Sequence, residues 1–407
     1  MLPRPCLSFT LPSVYDNIKL DCRVYHPPCL RDPSHSGAPW AGHAAVVAHP
    51  YAPLGGCYDD PVVDVAAGTL LQLGFLIATF NFRGAASSEG RTSWTSKPEQ
   101  ADYSSVVGFL AYYVHYLAPA DRSRSQLPIM LFAGYSYGAM VTTRLPPLET
   151  ILAYFATPAI HTPEADIRLR AQHLAEARRS LMAGPASPRR AQGVRVGGDE
   201  DSSRRSHDGQ GHAMSELLRE DRIRESVRHL LSRAKLVYRR SPRWTSSGSE
   251  SESEHGNKMD HCLEKVDGNV AFRSAYLAVS PPVGLVTRLA TMSFANPLPA
   301  SWMSRAGTGA QDRAVEEYGL LSTNPTLVVY GDQDGFISQR KMREWTRLLA
   351  GVEESRFRYV EVAGAGHFWV EGDVMYRLRD AIGIFATELT RLDGTSGASL
   401  QMVQDLI

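Results

Sequence analysis

The chain has 407 residues, a length that suggests one large domain or two of ordinary size. Hydrophobic residues make up 43% and charged residues 21%, enough apolar side chain for a sizeable core. The 43 basic and 43 acidic residues cancel, which argues against nucleic acid or an anionic membrane surface as the main partner.

Cys6, Cys22, Cys29, Cys57 and Cys262 are odd in number and scattered, with no paired metal-ligand spacing. Neither a disulfide framework nor a metal site is expected, and a reducing compartment fits better. Residues 1–6 lead into no long apolar run, and Asp405-Leu406-Ile407 is no recognisable address signal. No apolar run reaches the length of a membrane span. A cytoplasmic protein is the expectation.

In chain order, strands are predicted at 8–11 and 20–25, followed by a Pro/Ser-rich loop over 27–39. The pattern then alternates between apolar runs and helical segments, the mark of a parallel sheet with crossover helices. Residues 44–48 read as a buried strand, 62–73 as a helix and 75–81 as the next strand. Ser96 and Glu99 have capping-box spacing, opening a helix that carries Val106, Phe109, Leu110, Tyr113 and Leu117 on one face. A strand over 128–133 leads into a helix over 136–144, stopped by Pro146-Pro147.

There the alternation breaks, dividing the chain into core (1–145), insert or lid (146–269), core again (270–395) and a tail (396–407). The insert, roughly 120 residues, is too long for a structureless loop. Helices are predicted at 164–182 and at 215–240. Residues 184–211 and 246–258 are too polar and small to pack and are expected to be disordered. Strands at 275–280, 326–330 and 357–362 and a helix over 373–392 complete the chain. The fold class is α/β: a mostly parallel twisted sheet, helices on both faces, and a large, partly disordered helical insert.

Gly134-Tyr135-Ser136-Tyr137-Gly138 is a G-x-S-x-G string between a strand and a helix, the setting of a nucleophile elbow. Its turn is too tight for Cβ atoms beside a serine with unfavourable backbone angles. The bland alternative is a tight structural turn. A serine hydroxyl needs a base in hydrogen-bond reach and an acid to orient that base. His367, in Gly364-Ala365-Gly366-His367 after the last strand, stands where the base falls in a Ser…Asp…His chain order. After the preceding strand, Asp334 is favoured as the acid because it lies further into the loop. Asp332 is the second candidate, with local support of the turn as its other reading.

An oxyanion needs two N–H donors. One is expected from Tyr137. The other should come from His49-Pro50-Tyr51-Ala52-Pro53-Leu54-Gly55-Gly56, where both prolines are excluded because they lack the hydrogen. Tyr51 is the best candidate, with Gly55 or Gly56 behind it. His49, Tyr135, Phe368 and Trp369 are pocket candidates, the last two equally readable as core.

The His49–Gly56 loop, Phe80-Asn81-Phe82-Arg83-Gly84 with Ser88-Glu89-Gly90, Gly134–Gly138, Ser280-Pro281-Pro282-Val283, Gly331–Asp334 and Gly366-His367 come in a fixed order. In that order the chain resembles an α/β-hydrolase subgroup with an H-P-x-P-x-x-G-G-like oxyanion loop and an F-N-F-R-G strand end. It looks like a larger relative of fungal type. Ala52 stands where the loop's second proline would be, and the insert enters one strand earlier than the superfamily's usual cap. The resemblance implies the α/β-hydrolase fold and Ser136, Asp334 and His367 as triad; no cofactor and a small-molecule acyl substrate are expected from the chemistry of such a triad.

Other features carry less. Arg83 reads as an anion binder or, more often, a tie between loops. Cys57 has no sign of activation. The basic stretch in 215–240 is interleaved with acids, as in a solvated lid helix, and the Ser/Glu run at 249–254 reads as a linker. The leading expectation is a cofactor-free serine hydrolase of a carboxylic ester, thioester or small amide. Rivals are acyl transfer or C–C bond hydrolysis on the same triad, and a hydrolase-like binding protein without turnover; partner proteins are unknown.

Overall fold

The structure is a computed structural model that describes residues 1–31, 39–93, 95–117, 126–182, 262–282 and 318–391. The helix expected at 215–240, the polar stretches 184–211 and 246–258, and the tail 396–407 lie outside the described residues.

Eight strands form one sheet: β1 (Leu7–Pro12), β2 (Lys19–Tyr25), β3 (Ala44–Ala48), β4 (Leu76–Phe80), β5 (Ile129–Tyr135), β6 (Arg273–Val279), β7 (Thr326–Gly331) and β8 (Phe357–Val362). Their order is β1-β2-β4-β3-β5-β6-β7-β8. β1 and β2 pair antiparallel, β2 meets β4 antiparallel, and β4 through β8 run parallel. The described helices are α1 (Pro28–Arg31), α2 (Pro61–Gln72), α3 (Lys97–Leu117), α4 (Tyr137–Thr142), α5 (Leu148–Ala156), α6 (Pro163–Met182), α7 (Gln339–Ala350) and α8 (Val374–Arg391). This is the α/β-hydrolase fold.

Both faces of the parallel strands are covered, which is why they read as unbroken apolar runs in the sequence. Along β5, Met130 and Phe132 enter the core under α3, while Leu131, Ala133 and Tyr135 enter the one under α2 and α8. β6 and β7 divide the same way, with Tyr276, Ala278, Val328 and Tyr330 against Leu277, Val279, Leu327 and Val329. Alternation with period two, rather than polarity, therefore assigns the faces.

The chain goes from β3 to β4 on one side and then crosses to β5 on the other, so β3 and β5 are neighbours at the point where strand order reverses. After β3 the chain moves to the face of α2, and after β5 to the face of α4. A crevice opens between such connections at the carboxyl ends of the strands.

The start of α3 departs from the expected capping box. Ser96 has φ 58°, and its buried hydroxyl lacks a hydrogen-bond partner. Glu99 instead accepts from the Ser93 N–H (2.6 Å) and the Ser93 hydroxyl (2.5 Å), reaching past the helix start to fix the incoming loop. α5 continues beyond Pro147, with Leu148, Ile151 and Phe155 buried at helical spacing. A Cβ on Gly108 of α3 would collide with the Phe155 ring, 2.6 Å from its Cε1 and nearer still to its tip, so this glycine is what lets the helices meet. α6 follows, and Arg170 on it donates to the Thr10 carbonyl of β1 (2.9 Å).

Candidate active site

β5 ends in the elbow. Ser136 has φ 53° and ψ −116°, a region that side chains rarely occupy and that surrounding packing must sustain. Its N–H donates to the Val279 carbonyl of β6 (2.8 Å), and its carbonyl accepts from Met140 of α4 (3.0 Å). A Cβ on Gly134 would stand 2.6 Å from the Ala139 nitrogen, and one on Gly138 2.6 Å from the His49 carbonyl oxygen. Those are backbone atoms with little room to yield, so both glycines are required. The helix expected from residue 136 begins one residue later.

The loop after β8 brings His367 back over this turn. Its main chain is pinned by the Tyr135 hydroxyl, which donates to the His367 carbonyl (2.7 Å). Glu371 accepts from the Gly366 N–H (3.0 Å), and that backbone bond holds its carboxyl below the usual range. The Ser136 hydroxyl and His367 Nε2 are 2.8 Å apart. On the other side of the ring, Nδ1 is 2.7 Å from Asp334 Oδ2. A carboxylate only accepts, so Nδ1 carries the proton and Nε2 is left to accept from the serine. Asp334 is buried, and its other oxygen accepts from the Phe336 N–H (2.9 Å). Asp332 faces elsewhere, accepting from the Gly364 N–H (2.6 Å) and tying the loop after β7 to the loop after β8.

The loop after β3 is organised by His49, which is fully buried rather than lining a pocket. Its Nε2 accepts from the Phe82 N–H (2.8 Å), so Nδ1 is the protonated nitrogen and donates to the Pro50 carbonyl (2.6 Å). Burial lowers its pKa to about 4, keeping the ring neutral. In a planar trans peptide, C=O and N–H point in opposite directions, so holding the Pro50 carbonyl turns the Tyr51 N–H away from the imidazole. Gly55 and Gly56 spend their N–H groups inside the loop, on the carbonyls of Ala52 (2.9 Å) and Tyr51 (3.2 Å). Among the described residues, no partner is found for the N–H of Tyr51 or of Tyr137, the first residue of α4. Their rings lie 5.2 Å apart.

The remaining candidates separate. Tyr135 is buried and serves the His367 loop. Trp369 is buried in the core under α8, its Nε1 donating to the Ser280 hydroxyl (3.1 Å). Phe368 turns outward beside His367, with ring centroids 5.6 Å apart. The sequence reading missed Phe336, whose ring lies 4.7 Å from the imidazole. Its signal was its place two residues after Asp334, on the same loop. Arg83 is a tie between loops, bonded to Asp102 (2.7 Å) and Asp16 (2.9 Å) and buried.

A separate cavity of about 300 Å³ is lined by Glu149, Arg273, Ser274, Asn324 and Arg356 over an apolar floor that includes Leu148 and Leu389. It lies at the amino ends of β5 to β8, a strand length of roughly 20 Å from Ser136. Among the described residues, no group of three His, Cys, Asp or Glu side chains could hold a metal, and no helix is long and apolar enough to cross a membrane.

No family model and no curated protein matches the chain. Among solved structures it is similar to an α/β serine hydrolase without a lid from Xanthomonas campestris, at 16% identity and a TM-score of 0.43, over 96% of this chain and 97% of that one. It is also similar to an α/β serine hydrolase homologue from Coxiella burnetii (15% identity, TM-score 0.42, 94% and 99% covered). An esterase from Pyrococcus furiosus is a third (11%, TM-score 0.42, 94% and 89%).

Proposed function

We propose that this chain is a cofactor-free serine hydrolase that cleaves a small carboxylic ester, or a thioester or small amide, through an acyl-enzyme. The observation that carries the reading is the unbroken line from the Ser136 hydroxyl to His367 (2.8 Å) and from His367 to Asp334 (2.7 Å). Ser136 attacks the acyl carbon as His367 Nε2 takes its proton, and Asp334 stabilises the imidazolium without accepting that proton. The N–H groups of Tyr137 and Tyr51 receive the charge developing on the carbonyl oxygen. His367 returns the proton to the leaving group. A water, deprotonated by the same ring, then releases the acid and restores the serine.

Acyl transfer on the same triad needs a dry pocket. Phe368 is exposed and Trp369 lies in the core, so these two do not build one. A binding protein without turnover has no use for the backbone conformation at Ser136, which costs of order 1–3 kcal/mol to hold. The test is labelling by a fluorophosphonate probe, expected for the wild-type chain and lost in Ser136→Ala. Undiminished labelling of the variant, or no turnover of any ester or thioester by the wild type, sinks the proposal.

A further inference from the structure

Two loops carry the acid and the base, and each also presents a phenylalanine to solvent beside the imidazole. Phe336 is 43% exposed and Phe368 59% exposed, on the loops after β7 and β8 respectively. Phe336 leans over the His367 ring at 4.7 Å and 40°. Phe368 stands edge-on to both, 5.6 Å from Phe336 at 87° and 5.6 Å from His367 at 88°. The three rings make a corner whose inner walls are apolar, and Val370, also exposed, extends the second loop. A single exposed apolar side chain is ordinary, but several gathered around one polar group mark a contact surface.

The reaction geometry says which part of a substrate meets that surface. In the tetrahedral intermediate the oxyanion faces the N–H donors, and the departing oxygen must come within hydrogen-bond reach of Nε2, because that nitrogen protonates it. The leaving group therefore sits on the imidazole side, beside the ring that Phe336 and Phe368 flank.

From this geometry we infer that Phe336 and Phe368 form a subsite for apolar, preferably aromatic, leaving groups. The substrate class is an ester whose alcohol part, rather than its acid part, carries the hydrophobic bulk. The inference rests on the hydrolase reading above.

The test uses the full chain and three esters: methyl acetate, benzyl acetate and methyl phenylacetate. Benzyl acetate adds a ring on the leaving side without greatly changing the acidity of the alcohol, and methyl phenylacetate adds the same ring on the acyl side. In Phe336→Ala/Phe368→Ala, the kcat/KM ratio of benzyl acetate to methyl acetate is expected to fall about tenfold. The ratio of methyl phenylacetate to methyl acetate should stay within twofold. Both are ratios within one protein, so a general loss of activity cancels. Phe336→Leu/Phe368→Leu, which keeps apolar walls, should recover much of the benzyl preference. An unchanged benzyl ratio, or an equal fall in the phenylacetate ratio, overturns the subsite while leaving the hydrolase intact. Absence of turnover of all three by the wild type, together with absence of fluorophosphonate labelling, overturns both.

Discussion

At the carboxyl ends of β5 to β8 the backbone is bent into positive φ at three residues that are not glycine: Ser136 (53°), Ser280 (46°) and Trp369 (58°). Asp334 there is paired with His367, and Trp369 with Ser280. At the amino ends of the same strands the described residues hold one such angle, at Glu354 (55°) in an exposed turn. Those ends enclose the cavity of about 300 Å³, with Arg273, Arg356 and Glu149 around it. A hollow of ligand size and the hydrogen-bonded line of Ser136, His367 and Asp334 thus occupy opposite edges of one sheet. Concavity alone would point to the amino edge. Strain and close backbone approach, which packing must sustain, point instead to the edge where Ser136, His367 and Asp334 converge.

Substitutions can break that contrast. The largest effect is expected at Asp334→Asn, which disturbs the tautomer that leaves Nε2 free; kcat should fall about 10⁴-fold. Asp332→Asn should stay within about tenfold, because an amide oxygen still accepts from the Gly364 N–H. Steady-state kinetics of the two variants, side by side, decide which aspartate acts, and a reversed order reassigns the role.

The middle effect concerns pH. His49 and His26 are buried, and burial lowers their pKa values to about 4 and about 3 from an unfolded value near 6.5. Above pH 6.5 both are neutral in either state and contribute nothing. As the pH falls below that, the unfolded chain binds protons the folded one refuses, so stability declines, each histidine by up to roughly 1.4 kcal/mol per pH unit. The loss for His49 ends near pH 4, where its folded form also titrates. In a histidine NMR titration, both rings should still show neutral shifts at pH 5. A protonated His49 at that pH would contradict the hydrogen bond it accepts from Phe82.

The smallest effect is expected at the amino edge. Arg356→Ala should leave ester turnover within twofold and unfolding free energy within about 0.5 kcal/mol, as for an exposed side chain at the opposite edge from Ser136. A large kinetic effect, measured beside thermal unfolding, would erase the contrast between the two edges.

Much of the sheet was legible because fully covered parallel strands need unbroken apolar runs, and β3, β4, β5 and β7 have them. The helix after the elbow was legible from the strand–glycine–serine order. α5 was not, because Pro146-Pro147 reads as a stop, while in the fold Pro147 stands just before the first turn, where a missing N–H costs nothing. The capping box failed for a different reason. Spacing alone cannot say whether Glu99 turns back to Ser96 or reaches Ser93, since the loop path before the helix decides it.

Local rules of chain geometry, together with the Ser…Asp…His chain order, were enough to single out residues 136 and 367 and to narrow the acid to Asp334 or Asp332: a tight turn demands glycines, and a loop after a strand carries its side chains to the sheet's edge. Partnership across more than 200 residues is another matter, because it depends on which strands become neighbours. Only the assembled sheet decided that Asp332 braces a turn while Asp334 meets the imidazole, that Trp369 goes inward and Phe368 outward, and that Phe336 belongs beside them. These choices turn on a residue or two of loop direction, which is set by packing between distant segments and leaves no period in the sequence.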